Sequence, residues 1–405
     1  MRPAAAQVPS ETVDLNRRRA PAPDHFAEID RLRERHRWFH NEAAQGYWVL
    51  TRSDDIREAF QTPDVFSNHS IVVTDPDPQY RFLPSYSEPP VHMQYRKLVN
   101  RWFSPTAVAA VHPRLRQISA GIIDEIADRG ACDFLTAYGD RYPSEVVTVM
   151  MGLPIDIAPF FVSCANRISG GVSSPGDRSG PIGAMADIKE FYADVLAERR
   201  RSPRDPDTDL LTSLLHGRLD DRPLDDEELL DLCMTLTFGG IDTTKSQLGW
   251  FVWHLATHSG DRRWLVDDPS IIPSAVEELL RAYPIVNMAR KVTRDVDFHG
   301  CPMKQGDMVL LTIQAATRDP AVFADADQIR LDRSPNRHIT FGASAHRCLG
   351  SHLARAELQV TLEEWHRRIP EYRLAPGVEI VAHGTHLEEL PLVWDVGSGR
   401  ERWRG

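Results

Sequence analysis

The run Phe341-Gly342-Ala343-Ser344-Ala345-His346-Arg347-Cys348-Leu349-Gly350 leads into a helical pattern. Leu349, Leu353, Ala356 and Val360 recur on one stripe, and Leu358, Leu362, Trp365 and Ile369 on a second, before Pro370 ends the pattern. Cys348 therefore stands just ahead of a helix N-terminus, where free amides and the positive end of the dipole favour an anion. A cysteine so placed is expected to have a lowered thiolate pKa and to serve as a metal ligand. Gly342 and Gly350 let the backbone pass close to a flat ligand.

Three other constellations carry chemistry. Gly239-Gly240-Ile241-Asp242-Thr243-Thr244 sits mid-way along a long helical pattern. Two helix-interior glycines cost about 1 kcal/mol each against alanine, which invites a functional reason. The acid and hydroxyl beside them are suited to binding water and moving protons. His92 and Arg96 lie one helical turn apart, so both can face one ligand. Glu278 and Arg281 are three apart on a face opened by a Ser274-Ala275-Val276-Glu277 capping box.

The elements that must position these groups are mostly helices. The acidic start Leu224-Asp225-Asp226-Glu227-Glu228 predicts a helix running to about His258. Tyr47 to Thr51 and Leu390 to Trp394 read as short strands, and Val296 to Leu311 as a small hairpin region. Ser169 to Gly183 is dense in Gly, Ser and Pro and reads as a flexible loop, and Arg200 to Asp209 as a polar connection. Residues 1–23 are expected to be a mobile arm, 24–396 a single domain and 397–405 a mobile tail.

Composition narrows the classes. The chain has 405 residues, 42% hydrophobic, with a net charge of -11, so nothing global attracts it to nucleic acid. Five widely spaced cysteines without a CxxC pair argue against a disulfide framework or a zinc cluster. The longest apolar stretch, near Leu232 to Ile241, is too short to span a bilayer, and no signal peptide is visible. A cytoplasmic protein without a membrane anchor is the expectation.

The segment around Cys348 resembles the cysteine loop of the cytochrome P450 haem-thiolate monooxygenases, F-G-x-G-x-H-x-C-x-G. It matches at Phe341, Gly342, His346, Cys348 and Gly350 and departs at Ser344, where the family usually has glycine. The other motifs follow in the family order, so the resemblance covers roughly residues 40 to 395. It implies a mainly α fold with small β-sheets and a long central helix over the haem. It implies non-covalent haem b with Cys348 as axial thiolate, which pushes electron density toward bound dioxygen. It assigns His92, Arg96, Arg290 and His346 to the haem propionates, which need cationic or hydrogen-bonding partners when buried. Glu278, Arg281 and Arg333 become a buried network for folding around the haem. Asp242 and Thr243 become the proton-delivery pair for dioxygen activation.

Tyr80-Arg81-Phe82-Leu83-Pro84 is similar to a stretch of the camphor hydroxylase subgroup in which the tyrosine anchors a substrate carbonyl. Tyr80, Phe82, Thr235, Phe238, Gly239, Val286 and Met288 are the expected pocket residues, with His383 to Thr385 as a further wall. The implied reaction is hydroxylation of a small apolar substrate, terpenoid-like or aromatic. The implied electron donor is a 2Fe-2S ferredoxin with an NAD(P)H ferredoxin reductase, steered by a basic face of Arg96, Lys97, Arg101, Arg347 and Arg355. Peroxide-driven oxidation, oxidative coupling or haem sensing without turnover are the rival readings. The intact Asp242-Thr243 pair favours dioxygen activation over peroxide use.

Overall fold

The computed structural model describes residues 8–170 and 179–396. Its helices are α1 (Asp24–Arg35), α2 (Ser53–Gln61), α3 (Val91–Val99), α4 (Pro105–Ile126), α5 (Arg141–Met150), α6 (Ala158–Gly170), α7 (Pro181–Arg201), α8 (Leu210–Leu215), α9 (Asp226–Thr257), α10 (Ser259–Asp267), α11 (Ile272–Ala282), α12 (Ile313–Ala316) and α13 (Ser351–Arg368). The strands are β1 (Ser10–Glu11), β2 (Arg18–Arg19), β3 (Trp38–Asn41), β4 (Tyr47–Leu50), β5 (Phe66–Ser67), β6 (Ala131–Asp133), β7 (Arg218–Leu219), β8 (Arg222–Pro223), β9 (Met288–Val292), β10 (Val296–Phe298), β11 (Cys301–Met303), β12 (Met308–Leu311), β13 (Arg373–Leu374), β14 (Ala382–His383), β15 (His386–Leu387) and β16 (Pro391–Val393).

The long helix α9 starts as its acidic run dictates. The Asp225 side chain accepts from the Glu228 amide, and the Glu228 carboxylate accepts from the Asp225 amide. Burial extends around much of α9, as expected of a helix enclosed by neighbours. It packs against α5, α6 and α7 on one side and meets α13 on the other, while α13 lies along α4. The core is centred on Trp250, Phe251, Leu279 and Trp365, each essentially inaccessible. A second cluster lies between α6, α7 and the first half of α9, around Phe161, Tyr192 and Leu232.

The largest sheet has the order β1-β3-β4-β12-β9-β5. In it β12 runs parallel to β4, with Val309 opposite Trp48, and antiparallel to β9, with Val309 opposite Arg290. Alternation along β9 puts Met288 and Arg290 on one face, which turns toward the site.

Several expectations are corrected. Residues 8–23 are not a loose arm: β1 pairs with β3, β2 pairs with β14, and Leu15, Arg19 and Ala22 are buried. The hairpin region resolves into β10 and β11, joined through His299 and Gly300 at positive φ, while β12 departs to the large sheet. Ser274 does not cap a helix, because α11 begins two residues earlier at Ile272 with Pro273 in its first turn. The Ser274 hydroxyl donates to the Ile271 carbonyl instead. Of the loop expected at Ser169 to Gly183, Ser169 and Gly170 end α6 and Pro181 to Gly183 open α7, and residues 171–178 lie outside the described residues. Residues 1–7 and 397–405 also lie outside them.

Candidate active site

The cysteine loop is closed by its own backbone: the Cys348 amide donates to the Phe341 carbonyl at 2.8 Å. The tight path needs left-handed backbone at Gly342 (φ 71°) and at Ser344 (φ 61°), so the position where this chain departs from the family pattern is one where glycine would relieve strain. Gly350 caps α13, and its amide donates to the Cys348 sulfur. Cys348 lines the cavity, and the accessible surface it has is on that lining. Burial pushes its thiol pKa up, against the Gly350 amide and the guanidiniums of Arg96, Arg347 and Arg355. The lowering expected from helix position alone is therefore outweighed by desolvation. A sulfur in this setting ionises when a cation binds it.

Beside the sulfur, four donors converge on the cavity: His92 and Arg96 from α3, Arg290 from β9 and His346 from the cysteine loop. The rings of His92 and His346 have centroids 3.9 Å apart. Burial lowers the His92 pKa to about 4, helped by Arg96. Burial lowers that of His346 to about 3, helped by His92, Arg290 and Arg96. Arg290 is 2% exposed, lies 5.0 Å over the Phe60 ring, and is brought by burial to about 10. Arg96 donates to the Arg347 carbonyl at 3.0 Å, tying α3 to the loop. His92 Nδ1 and His346 Nε2 are buried with no hydrogen-bond partner among the described residues. Buried donors left without acceptors are costly, and the carboxylates of a bound haem would satisfy them. The donor set and the sulfur together fit the group.

The cavity measures about 330 Å³, and α9 forms one wall. Thr243 and Gly239 face it, and the Thr243 hydroxyl donates to the Gly239 carbonyl at 2.8 Å. Asp242 lies about 100° further round the helix and is outside the lining. Its Oδ2 is 3.1 Å from His386 Nε2. Burial raises the Asp242 pKa, but His386, a hydrogen bond from Ser169 and the charge of Lys245 outweigh it and hold the carboxyl below its ordinary range.

Among the expected pocket residues, Thr235, Gly239, Val286 and Met288 line the cavity. Tyr80, Phe82 and Phe238 do not; they form an aromatic cluster outside it, with Phe82 stacked on Phe238 at 6.0 Å. Burial, with Asp75 nearby, raises the Tyr80 hydroxyl's pKa, and its ring packs on Phe82 and Tyr86. The wall expected from His383 to Thr385 is also absent from the lining. Sequence reasoning missed Val147, Met150 and Met151 of the α5 region, which do line it. A helix carrying no polar motif gives no local signal of such a role.

Glu278, Arg281 and Arg333 come together at full burial. Arg281 holds Glu278 with two bonds of 2.8 Å, and Arg333 Nε reaches both carboxylate oxygens at 3.0 Å. Next to them Glu277 binds Arg355 through two bonds and His338 through one. Arg355 is thereby committed inside the protein, and Arg101 binds Asp207. Of the expected basic face, Lys97, Arg101 and Arg347 are exposed, Arg101 as one half of its pair with Asp207.

The chain matches the cytochrome P450 family over residues 180–260 and 270–368. It is 33% identical over 360 residues to the mycinamicin IV hydroxylase/epoxidase of Micromonospora griseorubida, covering 86% of this chain and 89% of the relative. It is 30% identical over 375 residues to a steroid C26-monooxygenase of Mycolicibacterium smegmatis, covering 89% and 92%. The crystal structure of CYP101J2 superposes with a TM-score of 0.87 at 28% identity, covering 96% of this chain and 98% of that one. That of cytochrome P450 CYP101C1 gives 0.87 at 28%, covering 97% and 100%. The chain belongs to the cytochrome P450 family. It is a cytochrome P450 monooxygenase with haem b, held by a cysteine thiolate, as cofactor. Among the described residues no helix is long and apolar enough to cross a membrane.

Proposed function

We propose that this enzyme hydroxylates a small apolar substrate, terpenoid-like or aromatic, with electrons from a ferredoxin, and that Cys348 would supply the thiolate to the haem iron. One oxygen atom of dioxygen enters the substrate and the other leaves as water. The observation that carries this reading is the placement of the Cys348 sulfur and the Thr243 hydroxyl on one cavity, the second from α9 and the first from the loop before α13.

Haem, when bound, supplies the binding and reductive activation of dioxygen. The chain does the rest. Cys348 brings the thiolate, with Gly350 donating to the sulfur. His92, Arg96, Arg290 and His346 would hold the two propionates, and Phe341, Gly342 and Gly350 shape the loop that carries the sulfur. Arg355 lies 4.5 Å over the Phe341 ring and fixes its plane. Glu278, Arg281 and Arg333 anchor the chain leading to the loop. Thr243 presents a hydroxyl to the cavity and Asp242 brings protons to it. Thr235, Val286, Met288 and Met151 exclude water from the substrate side.

An apolar substrate is favoured because Val147, Met151, Val286 and Met288 are among the side chains that wall the cavity. Similarity to cytochrome P450-terp of a Pseudomonas species, 27% identical over 398 residues, supports a terpenoid scale. The CYP101 neighbours and the exposed Lys97 and Arg347 near the cysteine loop support an acidic ferredoxin as donor.

The test is a panel of terpenoid, aromatic and steroid compounds scored by the spin-state change of the iron. It is followed by turnover with a 2Fe-2S ferredoxin and its reductase. Substrate-dependent NADH consumption with an oxygenated product is expected. Product formed from peroxide alone, with none from the ferredoxin system, would overturn the reading.

A further inference from the structure

We propose that His386 is a positioning residue for Asp242: from the edge of the C-terminal sheet it holds this carboxylate out of the cavity and hands it protons drawn from bulk water. The proposal rests on the reading of Asp242 as a proton carrier and names where its protons come from.

The geometry is specific. The His386 side chain is 45% exposed and that of Asp242 is 13% exposed, so the pair spans the boundary between solvent and interior. Nε2 of His386 lies 3.1 Å from Oδ2 of Asp242. The strand that carries His386 is fixed from three sides. The Trp250 indole donates to the Thr385 carbonyl at 2.7 Å, and the Thr385 hydroxyl donates to the Ile285 carbonyl at 2.7 Å. Leu387 lies beside Gly249, where a Cβ would come into van der Waals contact with Leu387 Cδ1 at 3.4 Å. β15 is therefore held directly against α9, and its one imidazole faces the one acid of the Gly239–Thr244 motif.

The charged and titratable surroundings are few among the described residues. α9 supplies Asp242 and Lys245, the end of α6 supplies Ser169 bonded to Asp242, and β14 supplies a backbone contact from His383. Lys245 is itself occupied by Asp140 at 2.6 Å and Asn166 at 3.0 Å, so it is not the partner that Asp242 would release to. Burial lowers the His386 pKa, but the Asp242 carboxylate outweighs that and leaves it above the ordinary value of 6.5. The imidazole therefore keeps its proton to higher pH than a free one and the carboxyl gives its own up more readily, so the contact favours imidazolium beside carboxylate.

One proton moves per cycle of the pair. The Nε2–H bond of the imidazolium breaks and an O–H bond forms at Asp242 Oδ2, giving neutral imidazole and carboxylic acid. The uncharged acid no longer has an ion pair to hold it and rotates toward the Thr243 side of α9, where it gives up the proton. The imidazole takes a replacement from water at its exposed edge, and the returning carboxylate pairs with it again.

The test compares the wild-type holoenzyme with H386Q and D242N, with H386N as a second variant should H386Q fold poorly. Folding is checked by the Soret band and thermal midpoint. The first readout is independent of turnover: the His386 ring signals are titrated by NMR in the diamagnetic ferrous carbonyl form, assigned by their absence in H386Q. A midpoint above 6.5 that falls in D242N is expected; a midpoint at or below 6.5, unmoved in D242N, would overturn the proposal. The second readout is the pH profile of kcat. The wild-type alkaline limb should follow the His386 midpoint, and H386Q should be roughly 10-fold slower, with that limb gone and a larger solvent isotope effect. Slow D242N with unchanged H386Q would overturn the role of His386 alone, whereas unchanged D242N would remove the reading of Asp242 beneath it.

Discussion

Val147 Cγ2 of α5 lies 2.6 Å from the point that a Cβ on Gly240 would occupy, so a side chain of α5 seats on bare backbone of α9. The neighbouring Gly239 has nothing within 4 Å of the same construction and faces the cavity. The two glycines of one motif thus serve different ends, and single substitutions separate them. Gly240→Ala is expected to destabilise. Overpacking costs about 1–3 kcal/mol against roughly 1 kcal/mol gained from helix propensity. Gly239→Ala should raise the thermal midpoint slightly while weakening the larger ligands that bind the wild type. Thermal melts and ligand titrations of both variants check this.

Glu278 is fully buried and accepts hydrogen bonds from Arg281, Arg333, Asn336 and the Arg330 amide. Removing the acid leaves two guanidiniums without their shared partner, and breaking such a buried pair costs about 3–5 kcal/mol. Glu278→Ala should therefore unfold at markedly lower denaturant and retain little haem. A variant with wild-type stability would contradict the arrangement.

The neighbouring Glu277 gives stability a pH dependence. Burial pushes its pKa up, but Arg355 and His338 outweigh burial and hold it at about 2, against an ordinary 4.5. Glu278 is shifted down as well, by Arg281 and then by the Arg330 amide and Arg333 acting against burial. A carboxylate with a depressed folded-state pKa stabilises fully above its unfolded value and loses that contribution as the pH falls through the folded one. Denaturation midpoints should thus decline from about pH 4.5 toward about pH 2, and Glu277→Gln should flatten part of the decline.

Cys348→Ser removes the sulfur while leaving the loop's Cys348 amide bond to Phe341 in place. The thiolate signature of the reduced carbonyl complex should vanish, with melting little changed. A persisting signature would place the ligand elsewhere, although Cys132, Cys164, Cys233 and Cys301 are all outside the cavity lining.

Thr243→Ala removes a hydroxyl that faces the cavity and bonds within its own helix to the Gly239 carbonyl. Ligand-induced spin change should survive, while electrons are diverted from product to peroxide; Thr243→Ser should restore most of the coupling. Full coupling in the alanine variant would remove the assigned role.

What the sequence showed and what it hid follows from range. The cysteine loop and the start of α9 are local: Cys348 before its helix, and the Asp225–Glu228 cap, are written in neighbouring residues. The Glu278–Arg281 pair was legible at spacing three, and Arg333 only through resemblance. The outward turn of Asp242 was not legible, because its partner His386 is 144 residues away on a two-residue strand. Tyr80 was misplaced for a similar reason: it joins an aromatic cluster with Phe82 and Tyr86 that reaches Phe238, far along the chain on α9, and its motif does not specify this. The N-terminal segment looked unstructured because strands of two residues carry no periodicity, and pairing with β3 and β14 makes them.

That last pairing has a consequence for how the molecule is made. β2 closes against β14, and Arg18 grips Glu388 across 370 residues. A ribosome releases residue 18 long before residue 388, so β2, though Arg19 can already hold Glu28, must wait for its strand partner until nearly the whole polypeptide has emerged. Completion of this sheet, and with it the seating of the strand beside α9, is then among the last events of folding, since contacts so distant in sequence form late.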